Sequence, residues 1–379
     1  MKSNVMYNNY EVKLDSSCYN ILLGRDLLPD SLIENLNSKT KNKKVLIVFD
    51  PYFEDLVKGK VQDALTCAQY QVHTHLLKSG KHNKTIISAI GLYEFLEIKG
   101  FSRDSTIIAF GGGVIGDLVG FVASTYLRGV NFISIPTTLM AMIDSSIGGK
   151  VAINFRKTIN AIGNYYHPML DVIDFDFIKS LSDRDFRSGL AEIIKCAVIA
   201  DKELFAYLDV NSEKVLSRQQ DALLYIMSRA IEIKLDHVSG DVREQGKRLR
   251  LNYGHTLGHS VEISTDVLSE TYRHGEGVSI GMIGAAYIAV KYFGKSDNIL
   301  REHEAILKKY GLPTRVDSKA INFRRQDLID ECVRNVYKDK KKKNSQLRFV
   351  LPQVIGECGV YGDVSDDLVA QAFNYLIRS

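Results

Sequence analysis

The order of apolar runs in this 379-residue chain predicts an α/β fold in two parts. A mostly parallel α/β domain is expected over residues 1–180, and a mainly helical domain over 181–379. Three observations predict it. Short continuous apolar runs alternate with helix-like stretches in the first half, the pattern of βαβ units around a parallel sheet. Apolar residues recur at steps of three and four in the second half, the period of a helix with one buried face. Three glycines follow directly on one of the apolar runs, where an α/β sheet turns from strand to helix.

The elements follow in order. Tyr10 to Leu23 reads as an opening hairpin that adds antiparallel edge structure. Lys44 to Asp50 is a buried strand ending in an acid. Thr106 to Phe110 is a second and runs into Gly111. Asn131 to Pro136 is a third, and Leu170 to Phe175 a fourth. From about Asp183 the helical spacing takes over, as in Leu190, Ile193, Ile194 and Val198, then Leu223, Ile226 and Ile231. A strand pattern returns at Leu347 to Leu351. No internal repeat or low-complexity segment interrupts this order.

Composition narrows the function classes. Apolar residues make up 45% and charged residues 25%, the range of ordinary globular domains. The net charge of +4 is small, and the one dense basic run is Lys340 to Lys343, so no nucleic-acid partner is expected. A mildly positive chain does suit a small anionic ligand. The five cysteines are scattered with no CxxC pair, which argues against a disulfide framework or a cysteine zinc site and for a reducing cytoplasm. Met1 to Glu11 is polar, so no secretory leader is expected, and no apolar run has membrane-spanning length.

Three groups of residues carry chemistry. The first is the loop Gly111-Gly112-Gly113-Val114-Ile115-Gly116-Asp117. Glycines let a phosphate approach backbone N–H groups, and the following helix adds its positive end. This is the physics of a dinucleotide pyrophosphate site, although the spacing is not GxGxxG, and a tight turn without ligand has the same pattern. Thr137 and Thr138 supply hydroxyls at the same sheet edge, where open α/β sheets bind ligands. Asp50 can bond a ribose hydroxyl or serve as a surface turn acid.

The second group is a set of metal-ligand types. His255 and His259 stand at i and i+4, on one face of a helix. His274 lies beyond a loop, and Glu192 is an acid on a strongly apolar helix with Lys195 one turn later. A buried Glu–Lys ion pair explains the latter two; a Glu with two His and an open position is also a catalytic zinc set. The third group binds anions. Lys150 follows two glycines in Asp144-Ser145-Ser146-Ile147-Gly148-Gly149-Lys150, and Arg128 closes Thr125-Tyr126-Leu127-Arg128-Gly129. Lys234, Glu244, Arg248 and Asn252 lead into His255. Arg248, Asn252, His255 and His259 fall at helical spacing and predict one polar stripe, facing either solvent or a cleft.

Taken together, these segments resemble the 3-dehydroquinate synthase family of sugar-phosphate cyclases. The resemblance covers nearly the whole chain. It rests on GGGVIGD (111–117), TYLRG (125–129), PTTL (136–139), DSSIGGK (144–150), GLAEIIK (189–195), NYGHTLGH (252–259) and HGE (274–276). It implies a Rossmann-like domain that binds NAD, with Asp50, Lys84, Gly112, Gly113, Val114, Ile115, Gly116, Asp117, Thr137, Thr138 and Lys150 around the cofactor. It implies a C-terminal domain holding zinc or cobalt through Glu192, His255 and His274. Asp144, Lys150, Asn160, Lys195, Lys234, Glu244, Arg248, Asn252 and His259 match positions around the substrate, and Asp339-Lys340-Lys341 matches a C-terminal lysine motif. Lys195, Lys234 and Arg248 are assigned to hydroxyls and the carboxylate, and Lys150, Asn252 and His259 to the phosphate. Arg128 matches an arginine that reaches a partner's site, which implies a homodimer. The implied reaction oxidises a hydroxyl of a seven-carbon sugar-acid phosphate, eliminates phosphate, reduces the ketone, opens the ring and closes a carbocycle by aldol addition, so NAD is returned unchanged.

Two departures bear on substrate and cofactor. Gly80-Lys81-His82-Asn83-Lys84 has Lys81 where the family has an acid beside a cofactor ribose, which weakens NAD binding or favours a 2′-phosphate. Thr158-Ile159-Asn160 has Ile159 where the family has lysine; Arg156 and Lys157 are the nearby cations. The alternatives are a sibling cyclase of secondary metabolism, a metal-dependent polyol dehydrogenase, and a catalytically impaired binding protein.

Overall fold

The computed structural model describes residues 7–13, 18–156, 158–265, 271–343 and 347–379, without the side chains of 339–343. The chain divides into two compact units, Met1–Leu181 and Ser182–Ser379.

The first unit is built on a seven-stranded sheet. Its strands are β1 (Tyr7–Lys13), β2 (Cys18–Gly24), β3 (Lys44–Phe49), β4 (Gln71–Leu76), β5 (Thr106–Gly111), β6 (Asn131–Pro136) and β9 (Leu170–Asp174). The order is β1-β2-β9-β6-β5-β3-β4. Only β1, paired to β2, is antiparallel. The central strands are apolar along their length because both faces are covered. Val45, Ile47 and Phe49 of β3 pack on one side with Ile108 and Phe110. Leu46 and Val48 pack on the other with Ile107, Ala109 and the helices Ile86–Ile98 and Gly113–Thr125. From β3 the chain runs outward to β4, then returns to place β5 on the opposite side of β3. That reversal leaves a crevice beyond the C-terminal ends of β3 and β5, where such sheets bind ligands.

Two features of this unit were not expected. The edge strand β4 was missed. The segment that carries Lys150 and the Ile159 departure is an antiparallel hairpin, β7 (Lys150–Phe155) with β8 (Thr158–Tyr165). Every residue of β8 is exposed, including Ile159, Ile162 and Tyr165.

The second unit is mainly helical. Its helices include Asp183–Ala200, Gln220–Val238, His255–Ser264, His274–Phe293, Asn298–Lys309, Arg325–Lys343 and Asp366–Leu376. Its strands are the short parallel pair β10 (Val316–Asp317) and β13 (Ile377–Arg378), and the hairpin β11 (Phe349–Val354) with β12 (Glu357–Tyr361). Ser182 caps the first helix by accepting from the Asp185 N–H at 3.1 Å. From Ser188 to Ile199 that helix is buried all round, so it forms the centre of the unit. The helices His255–Ser264 and His274–Phe293 meet backbone to backbone. A Cβ on Gly258 would lie 2.5 Å from the Gly277 carbonyl, and one on Gly281 only 1.8 Å from that of Gly254. Among the described residues, no helix is long and apolar enough to cross a membrane.

One expectation is corrected here. Arg248, Asn252, His255 and His259 do not form one helical stripe. Lys247–Asn252 is a 3-10 turn, Gly254 takes φ 76°, and the α-helix begins at His255. The left-handed glycine breaks the helix and re-aims everything after it.

Candidate active site

In the α/β unit, the glycine loop lies where the sequence places it. β5 ends at Gly111, Gly112 precedes the helix, and Gly113 opens it. The N–H groups of Ile115 and Gly116 both donate to the Gly112 carbonyl, at 3.0 and 3.1 Å. The first-turn N–H groups of Gly113 and Val114 have no acceptor within a helix and point to its open end. Ile115 itself turns its side chain into the core. The loop forms one wall of a cleft of about 390 Å³ whose other walls include Pro136, Ser145, Ser146, Gly149 and Lys150. Thus three separate motifs share one cavity. Gly148 and Gly149 have φ of 97° and 70°, and a Cβ on Gly149 would sit 2.8 Å from the His167 ring. The turn that presents Lys150 is therefore defined rather than loose. Thr137 is buried and donates its N–H to Gly111, while Thr138 Oγ1 accepts from the Ala141 N–H at 3.2 Å.

Lys84, Asp117 and Asn160 come together in the same unit. The buried Lys84 ammonium pairs with Asp117 and donates to Asn160 Oδ1 at 2.5 Å. Asn160 adopts φ 50°, and its N–H donates to Asn154 Oδ1 at 3.0 Å. Asp50 accepts from the Tyr52 N–H at 2.9 Å and from the Ser79 hydroxyl, so it caps the turn after β3 at the edge of the crevice. Sequence reasoning missed Asp171. It is fully buried on β9 opposite Ser134, and burial pushes its carboxyl up to about 7 against the opposing Ser146 and Ser134 hydroxyls. It lies hidden in an apolar strand, and nothing in the local pattern marks it.

In the helical unit, the ligand candidates converge. Glu192 is wholly buried, and its Oε1 lies 3.7 Å from His255 Nε2 and 3.5 Å from His274 Nε2. Lys195 pairs with its other oxygen, as the sequence allows. Oε1 has no hydrogen-bond partner and faces the two imidazole nitrogens instead. His259 joins the cluster: ligand atoms of His255, His259 and His274 lie within 4.8 Å of one another. His255 Nδ1–H donates to the Tyr253 carbonyl at 3.1 Å, and His274 Nδ1–H to Glu262 Oε1 at 3.1 Å. Each bond fixes the tautomer and leaves Nε2 for an ion. Sequence reasoning missed Glu262 as this second carboxylate.

The electrostatics agree with a cation site. Burial would raise the Glu192 carboxyl, but Lys195 and the two imidazoles outweigh it and hold it well below its usual value. Burial drives His255 down to about 3. Burial would lower His274 too, yet Glu262 and Glu192 hold it up at about 10. One carboxylate oxygen and two imidazole Nε2 atoms face one another within 3.7 Å, each imidazole held from behind at Nδ1, and a divalent ion fits such a donor set.

Three further cations are buried in this unit: Lys195, Lys234 and Arg248. They stand on the helices Asp183–Ala200 and Gln220–Val238 and on the turn Lys247–Asn252, which pack on one another. Arg248 donates to the Val242 carbonyl at 2.7 Å, and Asn252 donates to Glu244 Oε1 at 2.7 Å. The buried acids of the unit, Glu192, Asp201 and Glu262, equal these cations in number. Asp144 lies on the π-turn Ala141–Ser145, half-buried in the α/β unit. Arg128 is exposed on a turn where Leu127, Arg128 and Gly129 all have positive φ. The Lys340 side chain and Lys157 lie outside the described residues.

A parallel α/β unit with a glycine cleft at the C-terminal ends of β5 and β6, and a helical unit with a Glu–His cluster among buried cations, define a class of metal-dependent, nucleotide-using enzymes that handle an anionic substrate. Comparison with known proteins gives the family. Residues 74–188 match the model of the 3-dehydroquinate synthase N-terminal domain, and 189–342 that of the C-terminal domain. The chain belongs to the 3-dehydroquinate synthase family. It is 40% identical over 366 residues to a 3-dehydroquinate synthase of Thermodesulfovibrio yellowstonii, covering 96% of this chain and 98% of that protein. It is 39% identical over 360 residues to one of Picosynechococcus, covering 94% and 96%. Among solved structures it resembles 2-epi-5-epi-valiolone synthase from Streptomyces hygroscopicus, determined with NAD+ and Zn2+ bound. The TM-score is 0.84 at 26% identity, covering 96% of this chain and 98% of that one.

Proposed function

We propose that this chain is a cytoplasmic 3-dehydroquinate synthase that converts 3-deoxy-D-arabino-heptulosonate 7-phosphate to 3-dehydroquinate and phosphate in the shikimate pathway. The observation that carries the reading is the convergence of Glu192, His255 and His274 in a unit whose interior also holds Lys195, Lys234 and Arg248. A zinc or cobalt ion held by Glu192, His255 and His274 would supply Lewis-acid chemistry to a substrate hydroxyl, and NAD held at the glycine loop would supply reversible hydride transfer. The protein's part is binding and orientation. Lys195, Lys234 and Arg248 hold the hydroxyls and carboxylate, with Asn252 and His259 turned to the phosphate. In the α/β unit, the glycine loop and Lys150 line the nucleotide cleft, and the Lys84–Asp117–Asn160 network braces its floor. A neutral polyol brings no charge to the buried Lys234 and Arg248, which disfavours the dehydrogenase reading.

The purified protein is expected to release phosphate from the seven-carbon acid phosphate with NAD at trace level, to stop on chelation, and to recover with added zinc or cobalt. Stoichiometric NADH would overturn the reading in favour of a dehydrogenase. A sibling cyclase is the second reading, favoured by Ile159 and Lys81. Phosphate release from another sugar phosphate, and none from this one, would establish it.

The same reading makes the protein a homodimer. The exposed β8 hairpin carries Phe155, Ile159, Ile162 and Tyr165 at the surface, and Arg128 stands exposed on its strained turn. Light scattering is expected to give twice the chain mass of 42.6 kDa; a monomer at working concentration would remove the partner role of Arg128.

A further inference from the structure

The metal cluster is fixed from behind. His255 owes its orientation to the Tyr253 carbonyl, which accepts from Nδ1 at 3.1 Å. Tyr253 is in turn held at its other end. Its phenol is wholly buried, lies 2.8 Å from His303 Nε2, and lies 3.2 Å from the Met282 carbonyl. His303 stands on the separate helix Asn298–Lys309 and is itself fully buried. Its Nδ1–H donates to the Ile299 carbonyl at 2.7 Å. That bond puts the proton on Nδ1 and leaves Nε2 as an acceptor for the Tyr253 hydroxyl. Burial pushes the His303 imidazole down to about 4 against the pull of that carbonyl, so the ring stays neutral in neutral solution.

The geometry of the intervening turn makes this chain of bonds consequential. Gly254, between Tyr253 and His255, has φ 76°, and a Cβ there would lie 2.8 Å from the Val278 carbonyl. The peptide that carries the orienting carbonyl therefore sits at a sharp break between the 3-10 turn Lys247–Asn252 and the helix. The Tyr253 N–H donates back to the Arg250 carbonyl at 3.1 Å, and on the far side the Tyr253 side chain is a second brace, which ends on His303.

We propose that Tyr253 and His303 are positioning residues for the metal site: the buried hydroxyl–imidazole bond holds the Tyr253 carbonyl, which sets the ring of His255. Neither residue touches the ion or the substrate. The inference rests on the assignment of His255 as a ligand.

The test is divalent-ion affinity, measured by chelator competition with zinc and by the visible spectrum of the cobalt-substituted protein. The wild type, Tyr253→Phe and His303→Gln are compared with Tyr310→Phe. Tyr310 offers a matched control because its buried hydroxyl donates to the Leu208 carbonyl at 2.8 Å, in the same unit, without leading to a ligand. Tyr253→Phe and His303→Gln are expected to weaken zinc binding about tenfold, the lower end for partners beyond the ligands, and to shift the cobalt bands. Tyr310→Phe is expected to lower thermal stability and leave both readouts at the wild-type value. Wild-type affinity in Tyr253→Phe and His303→Gln would overturn the proposal, as would an equal shift in all three variants. A wild type that binds no zinc would instead overturn the metal-site assignment beneath it.

Discussion

Glu192→Gln is expected to leave the purified protein without its divalent ion and to lower turnover by about 10³-fold or more. A Lewis-acid ion supplies several kcal/mol of charge stabilisation, and each ~1.4 kcal/mol is a factor of ten. The carboxylate is the only anion of the trio and lies within 3.7 Å of both partner nitrogens. Its loss also removes the carboxylate that pairs with the buried Lys195 ammonium, and breaking a buried pair from one side destabilises by about 3–5 kcal/mol. The companion variant separates the two effects. Lys195→Met removes the other half of the same ion pair but leaves the carboxylate to face the imidazoles. It is expected to keep zinc at one per chain while turnover falls about 10²-fold, the usual loss for a preorganised polar group. Zinc content after gel filtration and phosphate release are the two measurements. Full zinc occupancy and ordinary turnover in Glu192→Gln would dismiss the assignment.

Much of the candidate site is legible in the sequence because its proposed ligands sit in motifs whose spacing reports geometry. His255 and His259 at i and i+4 do share a helix face, and Glu192 and Lys195 do pair one turn apart. What lies behind the ligands is not legible. Glu262 reaches His274 across two helices, and His303 reaches Tyr253 from a third. Those contacts depend on packing, and no local period encodes them. The fold shows the same division. β3, β5 and β6 were found because strands buried on both faces are continuously apolar. β4 is an edge strand of half-exposed, half-polar residues, Gln71-Val72-His73-Thr74-His75-Leu76, and offers no such run. β8 is exposed on both faces and so has no alternation. The false helix through Arg248 failed at Gly254, whose conformation is set by its contact with the helix His274–Phe293.

That contact gives the second large effect. Gly254 and Gly258 flank His255 in one motif, and Gly275, Gly277 and Gly281 follow His274 on its helix. Their physical role is to let two helices touch, so that imidazoles from both fall within 4.8 Å. A methyl group on Gly281 would overlap the Gly254 carbonyl, and backbone on both sides leaves no side chain to swing away. Gly281→Ala is therefore expected to lower stability by about 3 kcal/mol, the upper part of the usual overpacking range. It is also expected to weaken zinc binding, because the separation is forced between the helix of His255 and the helix of His274. Gly91→Ala makes the same chemical change in the helix Ile86–Ile98, where nothing lies within 4 Å of the new Cβ. There the substitution is expected to stabilise by about 0.5–1 kcal/mol, through helix propensity alone. Thermal unfolding and zinc titration of the two variants distinguish the cases. If Gly281→Ala melted with the wild type and bound zinc as tightly, the helices would have room to spare, and close glycine packing would not be what assembles the metal centre.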